Sequence, residues 1–464
     1  MASAALHVSE AVSLLNEASD SGEIPGAAIA VAVGGEPVLE TAFGFSDRAG
    51  GVRTSPDTPF SLASVTKPMV GTAVALLAHE GLIDLDAPVS HYWPGPVMPF
   101  DYGQEPTVRQ LANHTAGLPE FARFIAAGES TEQHETLHAY ARAVFPPGSR
   151  YVYSNLGFGL LGAILEQVSG RRLADVLAEL VFQPLKMASA GVGGPGSIPG
   201  AAVRYTPAGS AYPAYATSHP GASDGWCGVR DLLQFGLAHL GAASGLPGSV
   251  RAACHLPTAP WSRSMSYGIG WVVRHQGPHR VIFHQGGMPG VTSQLTVVPE
   301  ADVVVAAASN TQTSVLEEVT HRVLSALLPG YGPPPPGDGR FDAGRPPVST
   351  AAVTGAWAGT VALRSGAIPV TLDINDGTAD LLAWDGGHKQ PVTDLRVTDA
   401  SAAAQLEGSV PAAELGQRLH TASLVLHRAR TESLTGVLTA SVQLPPGAAE
   451  CADTLAWPIV LQRA

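Results

Sequence analysis

Lysine is nearly absent from this chain: of its 26 lysine and arginine residues only Lys67, Lys186 and Lys389 are lysines. A surface cation can be either residue type. A group that must give up and take back a proton cannot be a guanidinium, so a lysine at a chemically suggestive position invites attention. Cysteine is equally scarce. Cys227, Cys254 and Cys451 are too few and too scattered for a disulfide framework or a zinc site, and read as small apolar residues. Charged residues make up only 14%, the net charge is -13, and no basic run occurs, so the chain lacks the footprint of a nucleic-acid or anionic-lipid binder. There is no apolar run of 18 or more residues to cross a membrane. The opening "MASAALHVSEAVSLLNEASDSGEIPG" has no basic region followed by an unbroken apolar core, which sets a cytoplasmic location as the expectation. Neither a metal-ligand spacing nor a cofactor motif stands out, so no cofactor is expected.

With 464 residues and 45% hydrophobic content, the chain has material for two or three buried cores. Residues 8–20 carry a helical period, and "GAAIAVAVGGEPVLETAFGFSD" reads as two strands joined at Gly34-Gly35. An apolar helix is expected from Ser64 to Glu80, with Pro68 in its first turn and Gly81 as its cap. Further helices are expected near 107–113, 155–168, 171–180 and 229–241. Residues 187–226 lack a period and read as a substrate-facing loop. Strands return in "GIGWVVRHQ", "HRVIFHQG", "GVTSQLTVVPE" and "DVVVAAASN", before a last helix at about 312–327. The pattern is α+β, with one sheet completed from both ends of residues 1–328. Residues 329–347, "PGYGPPPPGDGRFDAGRPP", read as a linker. Residues 348–464 alternate in short strands with turn signals at Asn375-Asp376-Gly377 and Asp385-Gly386-Gly387, and read as a small β-barrel or sandwich.

Three short stretches carry candidate chemistry. In "FSLASVTKPM", Ser64 and Lys67 stand one helical turn apart, within side-chain reach of each other. A neutral lysine can take the proton of an attacking serine, although a polar first turn of a helix is the simpler reading of that spacing alone. In "FPPGSRYVYSNLGFGLLG", Tyr153 offers a phenol and Asn155 an amide, or else a buried aromatic and a helix cap. In "FHQGGMPG", His284 precedes Gly286 and Gly287, where a strand edge can admit a substrate backbone. The amides of Ser64 and Gly287 could then face each other as an oxyanion hole. Two other matches are set aside. "GASDG" (221–225) has no hydrophobic strand leading into its serine, and Pro195 would interrupt the helix that "GVGGPG" (191–196) requires.

Taken together, Ser-x-x-Lys, Tyr-x-Asn and His-x-Gly, in this order, resemble the three motifs of the serine β-lactamase and penicillin-binding-protein superfamily, in particular its class C-like branch. "IPGAAIAV", "GLIDLDAPV", "TVRQLANHTAGLP" and "YGIGW" agree with that branch, and the resemblance covers roughly residues 10–328. It implies an antiparallel sheet flanked by helices plus an all-helical region. It also implies that Ser64 is the nucleophile, Lys67 and Tyr153 the proton-transfer pair, Asn155 a positioning group and His284 the third-motif residue. Gly286 and Trp226 are expected at the substrate.

Penicillin-recognising members usually carry Lys-Thr-Gly where this chain has His284-Gln285-Gly286, so a largely neutral imidazole replaces a fixed cation. Esterases of the family VIII type and D-aminopeptidases share this kind of variation, and penicillin-binding-protein-type thioesterases are a third reading. The layout, with a lipocalin-like barrel after the hydrolase domain, is most similar to the thioesterases. That resemblance implies a peptidyl thioester or ester substrate, a peptidyl carrier protein as partner, and release of a nonribosomal peptide by macrocyclisation. A non-enzymatic sensor is the contrary reading, and the Ser64, Lys67 and Tyr153 set weighs against it.

Overall fold

The computed structural model describes residues 2–93, 104–126, 133–241, 245–262, 264–332, 353–363, 366–375, 378–384, 388–397, 401–406, 420–430, 433–442 and 453–464. Most of the expected linker, both proposed barrel turns after Asn375 and Trp384, and Cys451 lie outside these residues.

Strand Gly26–Val33 is an alanine-rich run buried along nearly its whole length. Its side chains alternate at the strand period. Ala28, Ala30 and Ala32 join a core with helices Thr66–His79 and Val229–Leu240, while Ala27, Ile29 and Val31 join a core with helices Ala2–Asp20 and Val315–Leu327. Small residues let helices approach both faces of the sheet. This strand pairs antiparallel with Glu36–Asp47 on one side and with Val303–Ser309 on the other. Val291–Val298, His279–Met288 and Val272–Gln276 then extend a nine-stranded sheet, completed from both ends of residues 26–309 as expected. The result is a mixed α/β fold with a large antiparallel sheet and a helical region beside it.

Ser64 does not open the helix. It sits in a 3-10 turn, Ala63–Val65, between the short strand Phe60–Ser61 and helix Thr66–His79. Ala63 takes a left-handed φ of 46°, an unfavourable conformation for a residue with a Cβ, and neighbours on both sides pin the turn in place. The Thr66 hydroxyl donates to the Ala63 carbonyl at 2.6 Å and receives the Gly225 N–H at 2.9 Å. The Ser293 hydroxyl donates to the Leu62 carbonyl at 2.6 Å. Pro68 falls in the first turn, where no intrahelical bond needs its missing N–H. The helix ends one residue before the expected cap: Glu80 is the cap, and Gly81, at φ 77°, and Leu82 donate back to Ala78 and Leu77.

The later strands, from Gly355–Leu363 to Asp453–Arg463, form a closed antiparallel barrel in which each pairs with its sequence neighbour and the first pairs with the last. Along Gly366–Asn375 burial alternates, with Val370, Leu372 and Ile374 directed inward. The barrel meets the rest of the chain through a small apolar cluster, Ala456 with Val144 and Phe145, and through a backbone pairing. Ala122 and Thr454 exchange both backbone hydrogen bonds, at 2.9 and 2.8 Å.

Behind helix Thr66–His79 runs a dry polar chain. The Thr72 hydroxyl donates to the Pro68 carbonyl at 2.8 Å, so it accepts from His239 Nε2 at 3.1 Å, and His239 Nδ1 in turn receives the proton of His255 Nε2 at 3.0 Å. Burial holds His239 well below its ordinary value and pushes His255 down to about 3. A depressed folded-state value means that the unfolded chain takes protons first. Stability is therefore fully present above 6.5 and falls as pH drops toward about 3. The urea midpoint is expected to decrease between about pH 7 and about pH 5. Equilibrium unfolding followed by tryptophan fluorescence at both values measures it, and an unchanged midpoint contradicts a neutral buried chain.

Candidate active site

The side chains of Lys67, Tyr153 and Asn155 come together around Ser64. Lys67 Nζ lies 2.9 Å from Ser64 Oγ, 2.7 Å from Asn155 Oδ1 and 3.2 Å from the Ala222 carbonyl. Tyr153 donates its phenolic proton to Ser64 Oγ at 2.8 Å. Asn155 is not the cap of its helix. Ser154 holds that position, and Asn155 is the first residue of Asn155–Ser169, its carboxamide turned inward. Its Nδ2 donates to the Phe121 carbonyl at 2.6 Å, which aims Oδ1 at Lys67.

Counting protons assigns the lone pair. An ammonium has three N–H bonds and no lone pair, whereas a neutral amine has two N–H bonds and one lone pair. Lys67 is fully buried, and loss of hydration holds its amine well below its ordinary value. In the neutral form its two N–H bonds go to Asn155 Oδ1 and the Ala222 carbonyl, which can only accept. The lone pair that remains faces Ser64 Oγ and can take the hydroxyl proton. Burial pushes the Tyr153 phenol upward, an effect that outweighs its bond to Ser64, so tyrosine keeps its proton as a donor. Lysine as base and tyrosine as acid is the assignment these opposite shifts favour.

His284 is 4% exposed and both of its nitrogens are engaged. Nδ1 faces the Gln285 carbonyl at 2.7 Å and must donate, so Nε2 accepts from Tyr267 OH, also at 2.7 Å. Burial, reinforced by Lys67, pushes its value down to about 3. The imidazole is a neutral strut under the strand.

Strand His279–Met288 brings its glycines beside the Ser64 turn, and the two glycines differ. A Cβ on Gly286 would come within 2.2 Å of the Leu62 carbonyl, so this glycine packs against the turn instead of facing substrate. Gly287 is exposed with open space above it. Trp226, expected at the substrate, is only 1% exposed. It pairs with Ser61 and Gly191 in a small sheet, its indole donates to the Gly193 carbonyl at 2.8 Å, and Arg204 stacks on it. Through its pairing with Ser61 it supports the strand that leads into the Ser64 turn.

The two matches set aside prove structural. Ser223 is buried and bonds His219, while its neighbour Ala222 supplies the carbonyl that holds Lys67. Gly191–Val192 is a two-residue strand rather than a phosphate loop. The 187–226 region is mostly irregular and largely half-buried or exposed, and only its end, residues 217–226, is mostly buried, where Ala222 meets Lys67. Sequence reasoning missed Phe121, Ala222, Tyr267 and His114. The first two act through backbone carbonyls, which leave no trace in residue type. Tyr267 and His114 stand in "YGIGW" and "NHTAGLP", stretches noted without a role for either residue. Among the described residues no group of three or more His, Cys, Asp or Glu side chains could hold a metal ion.

Two outcomes follow from this geometry. Lys67→Arg, which cannot release its proton, is expected to lower kcat/KM for an activated ester by about 100-fold or more. In the unsubstituted protein kcat/KM is expected to fall as pH drops through the lowered Lys67 value, and stopped-flow hydrolysis across pH tests both. Gly286→Ala is expected to lower the melting temperature and activity together, whereas Gly287→Ala keeps the melting temperature within about 2 °C because nothing stands in the way of its methyl group.

Residues 11–328 match the Beta-lactamase family. Protein flp of Staphylococcus aureus (strain MW2) is 31% identical over 173 residues, which is 36% of this chain and 34% of that protein. Esterase EstB of Burkholderia gladioli is 37% identical over 184 residues, 36% of this chain and 46% of EstB. The chain thus spans only 34% and 46% of the length of these curated relatives. The solved structure of SurE with D-Leu matches in fold with a TM-score of 0.64 at 21% identity, covering 99% of this chain and 100% of that one. No described helix is long and apolar enough to cross a membrane. With its match extending across residues 11–328, this chain belongs to the Beta-lactamase family.

Proposed function

We propose that the protein is a serine acyl-transfer enzyme that releases a carrier-bound peptide by closing it head to tail. The observation that carries the acyl-transfer part is the approach of Lys67 Nζ and Tyr153 OH to Ser64 Oγ, at 2.9 and 2.8 Å. Ser64 Oγ attacks the thioester carbonyl and its proton passes to Lys67. The backbone N–H groups of Ser64 and Gly287 receive the oxyanion. The C–S bond then breaks, the thiol leaves with a proton from Tyr153, and Lys67 returns a proton to the phenol. An acyl-Ser64 remains. Attack by the amino terminus of the same peptide forms the amide and regenerates the serine, whereas attack by water would give a linear acid.

The cyclase reading draws support from a lipocalin-like reading of the barrel and from the full-length likeness to a protein bound to D-leucine, which suits a peptide with a D-residue at its carboxyl end. A neutral His284 in place of a cation suits an acyl chain without a free carboxylate beside the reacting carbonyl. The substrate is a peptidyl thioester, its carrier protein is the partner, and the setting is cytoplasmic. A hydrolytic esterase is the second reading, favoured by the similarity to EstB.

A peptidyl thioester with a free amino terminus and a carboxyl-terminal D-residue discriminates between them by mass. Cyclic product that disappears in Ser64→Ala is the expected result. A product heavier by one water, with no cyclic form, turns the assignment to the esterase. Intact thioester and no acyl adduct on Ser64 overturns both.

A further inference from the structure

His114 lies outside the set of groups that touch Ser64, yet it grips the residue that does. Its backbone carbonyl accepts the Val152 N–H at 2.8 Å, and its Nδ1 accepts the Ser154 N–H at 3.1 Å. The two peptide N–H groups flanking Tyr153 therefore end on one residue. The imidazole also packs on the Tyr153 ring itself, with centroids 4.4 Å apart, and meets the Tyr267 ring at 4.5 Å. Such a grip has a conformational requirement. His114 is 2% exposed and adopts φ 63°, the left-handed region that a β-carbon disfavours and that asparagine tolerates better than most residues. Because Nδ1 accepts, Nε2 carries the proton, and it has no hydrogen-bond partner among the described residues. A strained residue with a buried, unpaired N–H persists only where its surroundings hold it firmly.

We infer that His114 is a positioning residue for the acyl-transfer reaction, holding Tyr153 so that its phenol reaches Ser64 and, later, the leaving group. This rests on the acyl-transfer reading above and adds a residue to it. No proton passes through His114 itself. Its contribution lies in where the Tyr153 hydroxyl sits.

A difference between leaving groups separates this role from a purely structural one. Ethoxide must be protonated as it departs, whereas p-nitrophenolate leaves unaided. A misplaced Tyr153 therefore penalises an ethyl ester more, while a smaller folded fraction lowers both rates by one common factor. His114→Phe keeps a ring but loses the acceptor for Ser154. His114→Asn keeps an acceptor and tolerates the left-handed backbone. With ethyl butanoate and p-nitrophenyl butanoate as probes and Tyr153→Phe as the benchmark, His114→Phe is expected to lower kcat/KM about 100-fold for the ethyl ester and about 10-fold or less for the other. His114→Asn is expected to recover most of the ethyl ester loss.

Equal losses on the two esters, or a His114→Phe protein within about twofold of the parent on both, overturn this assignment alone. A parent protein that turns over neither ester and takes no acyl group on Ser64 overturns the acyl-transfer reading, and this assignment with it.

Discussion

A single amine taken out of water governs the arrangement of this site. Lys67 is one of the largest fully buried side chains among the described residues, and a bare ammonium there would carry a desolvation cost that none of their carboxylates is bonded to offset. The structure meets that cost with neutral oxygens, from an amide, a carbonyl and a hydroxyl, and with aromatic faces from Tyr153 and Phe158 at 4.7 and 5.7 Å. Neutral acceptors stabilise an ammonium less than a carboxylate would, so the amine is left easy to deprotonate. Burial likewise lowers His114, His219 and His284 and keeps them neutral.

Every other part of the site is arranged to keep that amine in register with the hydroxyl. The Ser64 turn is squeezed between strand His279–Met288, through Gly286, and the segment around Gly225, through Thr66. The partners of Lys67 come from separate places in the chain. Asn155 heads one helix and is oriented by Phe121, while Ala222 lies in the short helix Pro220–Ser223. Phe121 precedes Ala122, which bonds to Thr454 of the barrel, so the carbonyl that orients Asn155 shares a peptide group with the N–H that donates to the barrel.

Much of this was legible in the residues. Strand and helix periods located the sheet, because alternation in "GAAIAVAV" and in the later strands reflects burial on both faces. The Ser64, Lys67, Tyr153 and Asn155 set was readable because reactive groups are encoded by residue type. What escaped was encoded otherwise. The 3-10 turn at Ser64 arises from tertiary pinning, which local propensity cannot register. Trp226, expected at the substrate, takes its place instead from burial inside a small sheet. Phe121 and Ala222 act through carbonyls that any residue owns. His114 could have been noticed only by asking which residues flank Tyr153 in space.

The pairing of the first sheet strand with the last also governs when the site can exist. Ser309 Oγ bonds the Gly26 carbonyl across 283 positions of sequence, and Ser293, which holds Leu62, lies on the strand paired with the one that carries Ser309. Contacts so distant must close a long loop before they return any stabilisation, which places them late in folding. A chain emerging from the ribosome would thus carry Ser64 and Lys67 exposed, unaligned and ordinary in their chemistry for most of its synthesis. The amine acquires its altered basicity only after the far strands arrive, so a nascent or truncated chain is kept from reacting with acyl donors by its topology alone.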